Sequence, residues 1–161
     1  MKMCMRKITL AVVLGVSLLL SACASGGIAP AASVGTGLVT IELGSDGESL
    51  AFTPNALSVS AGQTVTVKMK DNSVAKQHNW VLVKGGVDVA QKVATEGLTV
   101  GPDKNYIPSD ESNIIAHTSL SSAGQTVEVT FTAPAAGTYA FVCTVPGHNI
   151  TMRGTLTVNA P

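Results

Sequence analysis

Cysteine pairs, aromatic side chains and charge are all scarce in this chain. It carries 3 cysteines, 4% aromatic residues and 12% charged residues in 161 positions. So few charges exclude a coiled coil, and 45% hydrophobic residues exclude a disordered chain. Lysine plus arginine equals aspartate plus glutamate at 10 each, so no basic field is available to attract nucleic acid. The sequence shows no internal repeat, no phosphate-binding glycine loop and no nucleophile triad. The length suits one domain of ordinary size.

The even charge hides an asymmetry. Lys2, Arg6 and Lys7 crowd the first positions, and an uncharged run from Ile8 to Leu20 follows them. A spanning helix needs about 20 apolar residues, so this shorter run reads as the core of an export signal. Leu20-Ser21-Ala22-Cys23 then resembles the bacterial lipobox, in which a cysteine thiol takes up diacylglycerol and becomes the first residue after cleavage. The plain alternative is an ordinary signal peptide with a chance cysteine. On the lipoprotein reading residues 1–22 are a leader that takes Cys4 with it, and Cys23 is the lipidation site. Residues 23–37 then form a lipidated N-terminus and a tether of small residues without charge or aromatics. The mature protein would be exported and anchored to a membrane without spanning it, its domain on the extracytoplasmic (periplasmic) side. It would be mildly acidic, with 7 basic against 10 acidic residues. Only Cys143 remains unassigned, and one free thiol cannot build a disulfide scaffold.

Residues 38–161 read as an all-β sandwich of six to eight antiparallel strands with one helical excursion. Period-two alternation marks strands at 38–43, 64–70, 126–131 and 154–158, and short apolar runs mark two more at 79–83 and 138–142. The helical segment covers Val87 to Glu96. A body of this size buries enough surface to fold without a metal or a disulfide.

The chemistry is concentrated in Cys143-Thr144-Val145-Pro146-Gly147-His148-Asn149-Ile150-Thr151-Met152. A thiolate, an imidazole and a thioether share one turn between two strands, spaced C-x4-H-x3-M. A second imidazole, His78, heads the strand at 79–83. Two imidazoles and a thiolate with a weak thioether suit copper, because soft sulfur favours Cu(I) and imidazole serves both oxidation states. Singly, each has an ordinary reading: Met152 as core, Cys143 as a buried hydrophobe, His148 as a turn residue. Their spacing between strands favours a metal site. Trp80, the one tryptophan, reads as core.

The chain resembles the blue copper proteins (cupredoxins), within them the azurin and auracyanin branch, and most of all auracyanin. The matching stretches are Gln77-His78-Asn79-Trp80-Val81-Leu82, Gly101-Pro102-Asp103-Lys104-Asn105-Tyr106, Ile115-Ala116-His117-Thr118 and Cys143 through Thr157. The resemblance implies a plastocyanin-like Greek-key sandwich holding one type 1 copper ion. It implies that His78, Cys143 and His148 are equatorial ligands and Met152 an axial one. Gln77 stands where azurin has a glycine whose carbonyl faces the metal, so its carbonyl is a candidate weak axial donor. The backbone N–H groups of Asn79 and Val145 would donate to the thiolate. The Asn79 side chain would tie the ligand loops together near Thr144 and Asn149. His117 falls at a surface histidine that is not a copper ligand. Electrons would enter and leave at His148, through an apolar rim of Val145, Pro146, Gly147 and Ile150.

The function expected is that of a non-enzymatic, monomeric electron carrier cycling Cu(II)/Cu(I). Its partners would be membrane redox complexes and a cytochrome or reaction centre, in a photosynthetic or respiratory chain. The rival readings are a copper-storage or copper-delivery lipoprotein and a surface sandwich that binds no metal. Zinc is a competing ion for the same donors.

Overall fold

The computed structural model describes residues 37–161. The leader, the lipidation site Cys23 and all of the tether except Gly37 lie outside the described residues. Among the described residues no helix is long and apolar enough to cross a membrane.

Among the described residues nine strands form two sheets: β1 (Leu38–Asp46), β2 (Ser49–Thr53), β3 (Ala56–Ser60), β4 (Thr64–Lys70), β5 (Val81–Val83), β6 (Ile114–His117), β7 (Thr126–Thr132), β8 (Gly137–Val142) and β9 (Arg153–Asn159). The helix α1 spans Val87–Gly97. One sheet runs β2-β1-β4-β7 and the other β3-β9-β8-β5-β6. The sandwich is the one expected, with more strands than the six to eight read from alternation. The pairing is also not wholly antiparallel, because β1 pairs β4 and β3 pairs β9 in parallel. The cause is that β2 and β3 lie in different sheets: the chain crosses the sandwich between them and returns to β4.

Alternation in β4 sets the first inner layer. Val65, Val67 and Met69 are fully buried. Their register places Val39, Ile41 and Leu43 on one side and Phe131, Val129 and Val127 on the other. The intervening positions face outward, where Lys68 lies between Glu42 and Glu128 across the strands. Unlike charges directly opposite on a sheet each contribute a few tenths of a kcal/mol up to about 1 kcal/mol.

β5 is buried on both faces, which explains why its three residues read as a continuous apolar run. Trp80 and Leu82 belong to the inter-sheet core, whereas Val81 and Val83 join Ala90 and Val93 of α1 in a second cluster. Trp80 lies 6.0 Å from Phe131 and 5.7 Å from Phe141, ring centre to ring centre. Burying a side chain such as Phe141 contributes roughly 3 kcal/mol. Gly154 is required beside it, because a Cβ there would collide with the Phe141 ring and the Asn55 carbonyl. β4, β5 and β8 are thereby locked as a frame, and the loops at one end of that frame carry the site.

Candidate metal centre

Two loops bring the predicted ligands together. His78 precedes β5 in the chain, and its backbone is pinned to Ser121 from both sides: His78 N–H donates to the Ser121 carbonyl (3.4 Å) and Ser121 N–H to the His78 carbonyl (2.7 Å). Trp80 N–H donates to Thr118 Oγ1 at 3.0 Å, which extends the clamp by two residues. Cys143 follows directly on β8, and its N–H donates to the Met152 carbonyl (3.0 Å). Between them the chain doubles back through Gly147, at φ +81°, and a 3-10 turn at His148–Ile150. A β-carbon is disfavoured at that φ, so Pro-Gly is what the turn demands. Met152 N–H closes it by donating to the His148 carbonyl (2.8 Å).

The result is a compact donor set. His78 Nδ1 lies 4.0 Å and His148 Nδ1 3.6 Å from Cys143 Sγ. The ligand atoms of all three residues lie within 4.8 Å of one another. A sulfur about 2.3 Å and a nitrogen about 2.0 Å from one ion, some 120° apart, stand about 3.7 Å from each other. The observed separations bracket that value, so the residues fit one metal ion held by two imidazoles and a thiolate. Cys143 and Met152 are fully buried, and His148 is half-buried at the surface.

Burial sets the protonation of the metal-free site. It pushes the Cys143 thiol up to about 12, against the opposing pull of the Asn79 and Val145 N–H groups on the sulfur. His148 is held down at about 4, first by burial and then by neighbouring His78. Burial also lowers His78, opposed by the charge of Asp71. At neutral pH the site therefore presents a protonated thiol and neutral imidazoles.

Asn79 ties the two loops as expected, but with different partners in part. Its Oδ1 accepts from Thr144 N–H (2.8 Å), and its Nδ2 donates to Thr144 Oγ1 and the Asn105 carbonyl, both at 2.7 Å. Asn149 instead pairs with α1: its Nδ2 donates to Gln91 Oε1 (2.6 Å), and Gln91 Nε2 donates to the Asn149 carbonyl (3.1 Å). Gln77 is exposed just ahead of buried His78. His117 stands outside the donor set, with Nε2 3.5 Å from Glu111. The residues that sequence reading missed are Thr118, Ser121, Asn105, Gln91 and Asp71. All but Gln91 sit in loops of ordinary turn composition, and only Asn105 and Thr118 fell within stretches that carried the family resemblance.

Comparison with known proteins agrees with this geometry. Residues 39–159 match the model for copper binding proteins of the plastocyanin/azurin family. The chain is 53% identical over 162 residues to Auracyanin-A of Chloroflexus aurantiacus, an alignment covering 99% of this chain and 100% of that one. It is 39% identical over 119 residues to an azurin of Pseudomonas denitrificans, covering 69% of this chain and 91% of the azurin. A solved structure described as auracyanin A, a "blue" copper protein from the green thermophilic photosynthetic bacterium Chloroflexus aurantiacus, matches with a TM-score of 0.75 and 60% identity. That match covers 76% of this chain and 100% of the other.

Proposed function

The chain belongs to the plastocyanin/azurin family of copper-binding proteins, and from that premise we propose a membrane-anchored one-electron carrier with His78, Cys143, His148 and Met152 as its copper ligands. It is a blue copper electron-transfer protein of the auracyanin/azurin type. The observation that carries the proposal is the convergence of two Nδ1 atoms on one buried Sγ at 3.6 and 4.0 Å.

Copper bound there supplies a one-electron couple. The protein supplies rigidity. Cys143 and His148 lie in a turn closed by the Met152 bonds, and Asn79 fastens that turn to the His78 loop. Donor atoms held this way move little between oxidation states, which keeps the barrier to electron exchange low. The N–H groups of Asn79 and Val145 withdraw density from the thiolate and favour the reduced state. His148 is the ligand nearest solvent, and Pro146, Gly147 and Ile150 beside it are exposed. A small apolar rim suits brief docking, since weak redox interfaces lie at the low end of interface area. The partners proposed are membrane redox complexes and a cytochrome or reaction centre, in a photosynthetic or respiratory chain.

Adding Cu(II) to purified metal-free protein at pH 7 in weak buffer tests the proposal. The expected result is an intense blue thiolate-to-copper band that saturates at one ion per chain. One proton should be released per ion, from Cys143, because both imidazoles are already neutral. Affinity should therefore rise about tenfold per pH unit around neutrality. A colourless product or no proton release would contradict it.

A further inference from the structure

Asp71 is a fully buried carboxylate one residue past the end of β4, and the carrier mechanism has so far made no use of it. Its neighbours are hydrogen-bond donors. Oδ1 accepts from Ser73 N–H (3.0 Å), Ser73 Oγ (2.7 Å) and, more weakly, Ser45 Oγ (3.4 Å). Oδ2 accepts from Ser121 Oγ at 3.0 Å. That surround suits an ionised carboxylate, which is an acceptor only. Among the described residues no lysine or arginine lies within 4.0 Å of it; the one basic side chain within that distance is the neutral imidazole of His78, whose Nε2 stands 3.9 Å from Oδ1. His78 Nε2 is itself buried without a hydrogen-bond partner, while Nδ1 of the same ring faces Cys143 Sγ.

We propose that Asp71 is a positioning residue for the metal centre, its charge 3.9 Å from His78 Nε2 favouring the tautomer with the proton on Nε2 so that Nδ1 stays free for the metal, and biasing the site toward its oxidised state. This rests on the copper-carrier reading. Charge counting supplies the bias. Cu(II), the Cys143 thiolate and the Asp71 carboxylate sum to zero with neutral imidazoles, whereas Cu(I) leaves one uncompensated negative charge in a buried site. The Ser121 hydroxyl stands between Asp71 Oδ2 and the His78 carbonyl, 3.0 and 2.8 Å away, and shares its single proton between these two acceptors.

Asp71→Asn removes the charge and keeps the shape, and its amide can donate to Ser121 Oγ. The copper-loaded variant is expected to remain blue with one ion per chain. Its reduction potential should rise, with the Cu(I)/Cu(II) ratio at fixed ambient potential up by roughly tenfold or more, equivalent to about 59 mV. A potential that is unchanged or lower in a blue, folded variant overturns the inference and leaves the carrier reading standing. If the variant does not fold, nitrogen-15 NMR of the wild-type metal-free protein decides the matter, because no metal fixes the tautomer there. A proton on His78 Nε2 supports the assignment, and a proton on Nδ1 overturns it. Wild-type protein that takes up no copper overturns the carrier reading and this inference with it.

Discussion

Cys143→Ser should abolish the blue band completely while leaving the sandwich folded. Sγ is the donor on which both imidazoles converge, and the band depends on charge transfer from that sulfur. A serine hydroxyl in its place is a hard donor that does not ionise in a buried site, so the soft stabilisation of Cu(I) disappears as well. The structural cost is modest. Serine fills a similar volume, and its oxygen can accept from the Asn79 and Val145 N–H groups that now point at sulfur. A loss of about 1–2 kcal/mol is expected for burying the more polar group. Visible absorption and copper stoichiometry, with circular dichroism as the check on folding, measure this. An intense band surviving in a folded variant would mean that the thiolate is not a ligand.

Asn79→Ala should give the largest loss of stability among the polar residues of the site. The change leaves Thr144 N–H, on a fully buried residue, without its acceptor, and strips partners from Thr144 Oγ1 and the Asn105 carbonyl. One buried donor left unsatisfied costs about 1–3 kcal/mol. The two further lost bonds bring the expected total to about 3 kcal/mol. For a domain of this size that lowers Tm by about 10 °C. Thermal unfolding of the metal-free protein is the right measurement, since it separates the frame from the metal's own contribution. The copper-loaded variant should also exchange electrons more slowly, because the His78 loop and the Cys143 turn lose the side chain that joins them. A Tm within about 2 °C of wild type would show that the bridge is dispensable.

The fold and the metal centre are unequally legible in the sequence. Strand β4 was readable residue for residue, because Val65, Val67 and Met69 are one face of a pleated strand whose other face carries Thr and Lys. The helix was readable to within a residue at Gly97. β2 and β3 were not. They are five residues each and flank Pro54-Asn55, so they look like a loop although Leu57 and Val59 alternate inward. The parallel pairs were invisible, since direction follows from the crossing between sheets and not from any local pattern. In the site, the spacing of Cys143, His148 and Met152 lies within one turn and could be read directly. Asp71 could not. Lys70-Asp71-Asn72-Ser73 has turn composition, and its burial depends on serines converging from positions 45, 73 and 121. The same holds for Asn149, whose partner Gln91 lies 58 residues away on α1.

Electron carriage and copper delivery use the same donors but require opposite behaviour of the metal. Carriage needs an ion that stays while electrons move; delivery needs an ion that leaves. The decisive measurement is electron self-exchange in a mixture of Cu(I) and Cu(II) protein, followed by NMR line broadening, alongside copper loss to a competing chelator. For an electron carrier self-exchange is fast while the chelator removes little copper over the same interval. Rapid transfer of copper to the chelator with slow self-exchange would contradict it and make the protein a copper donor.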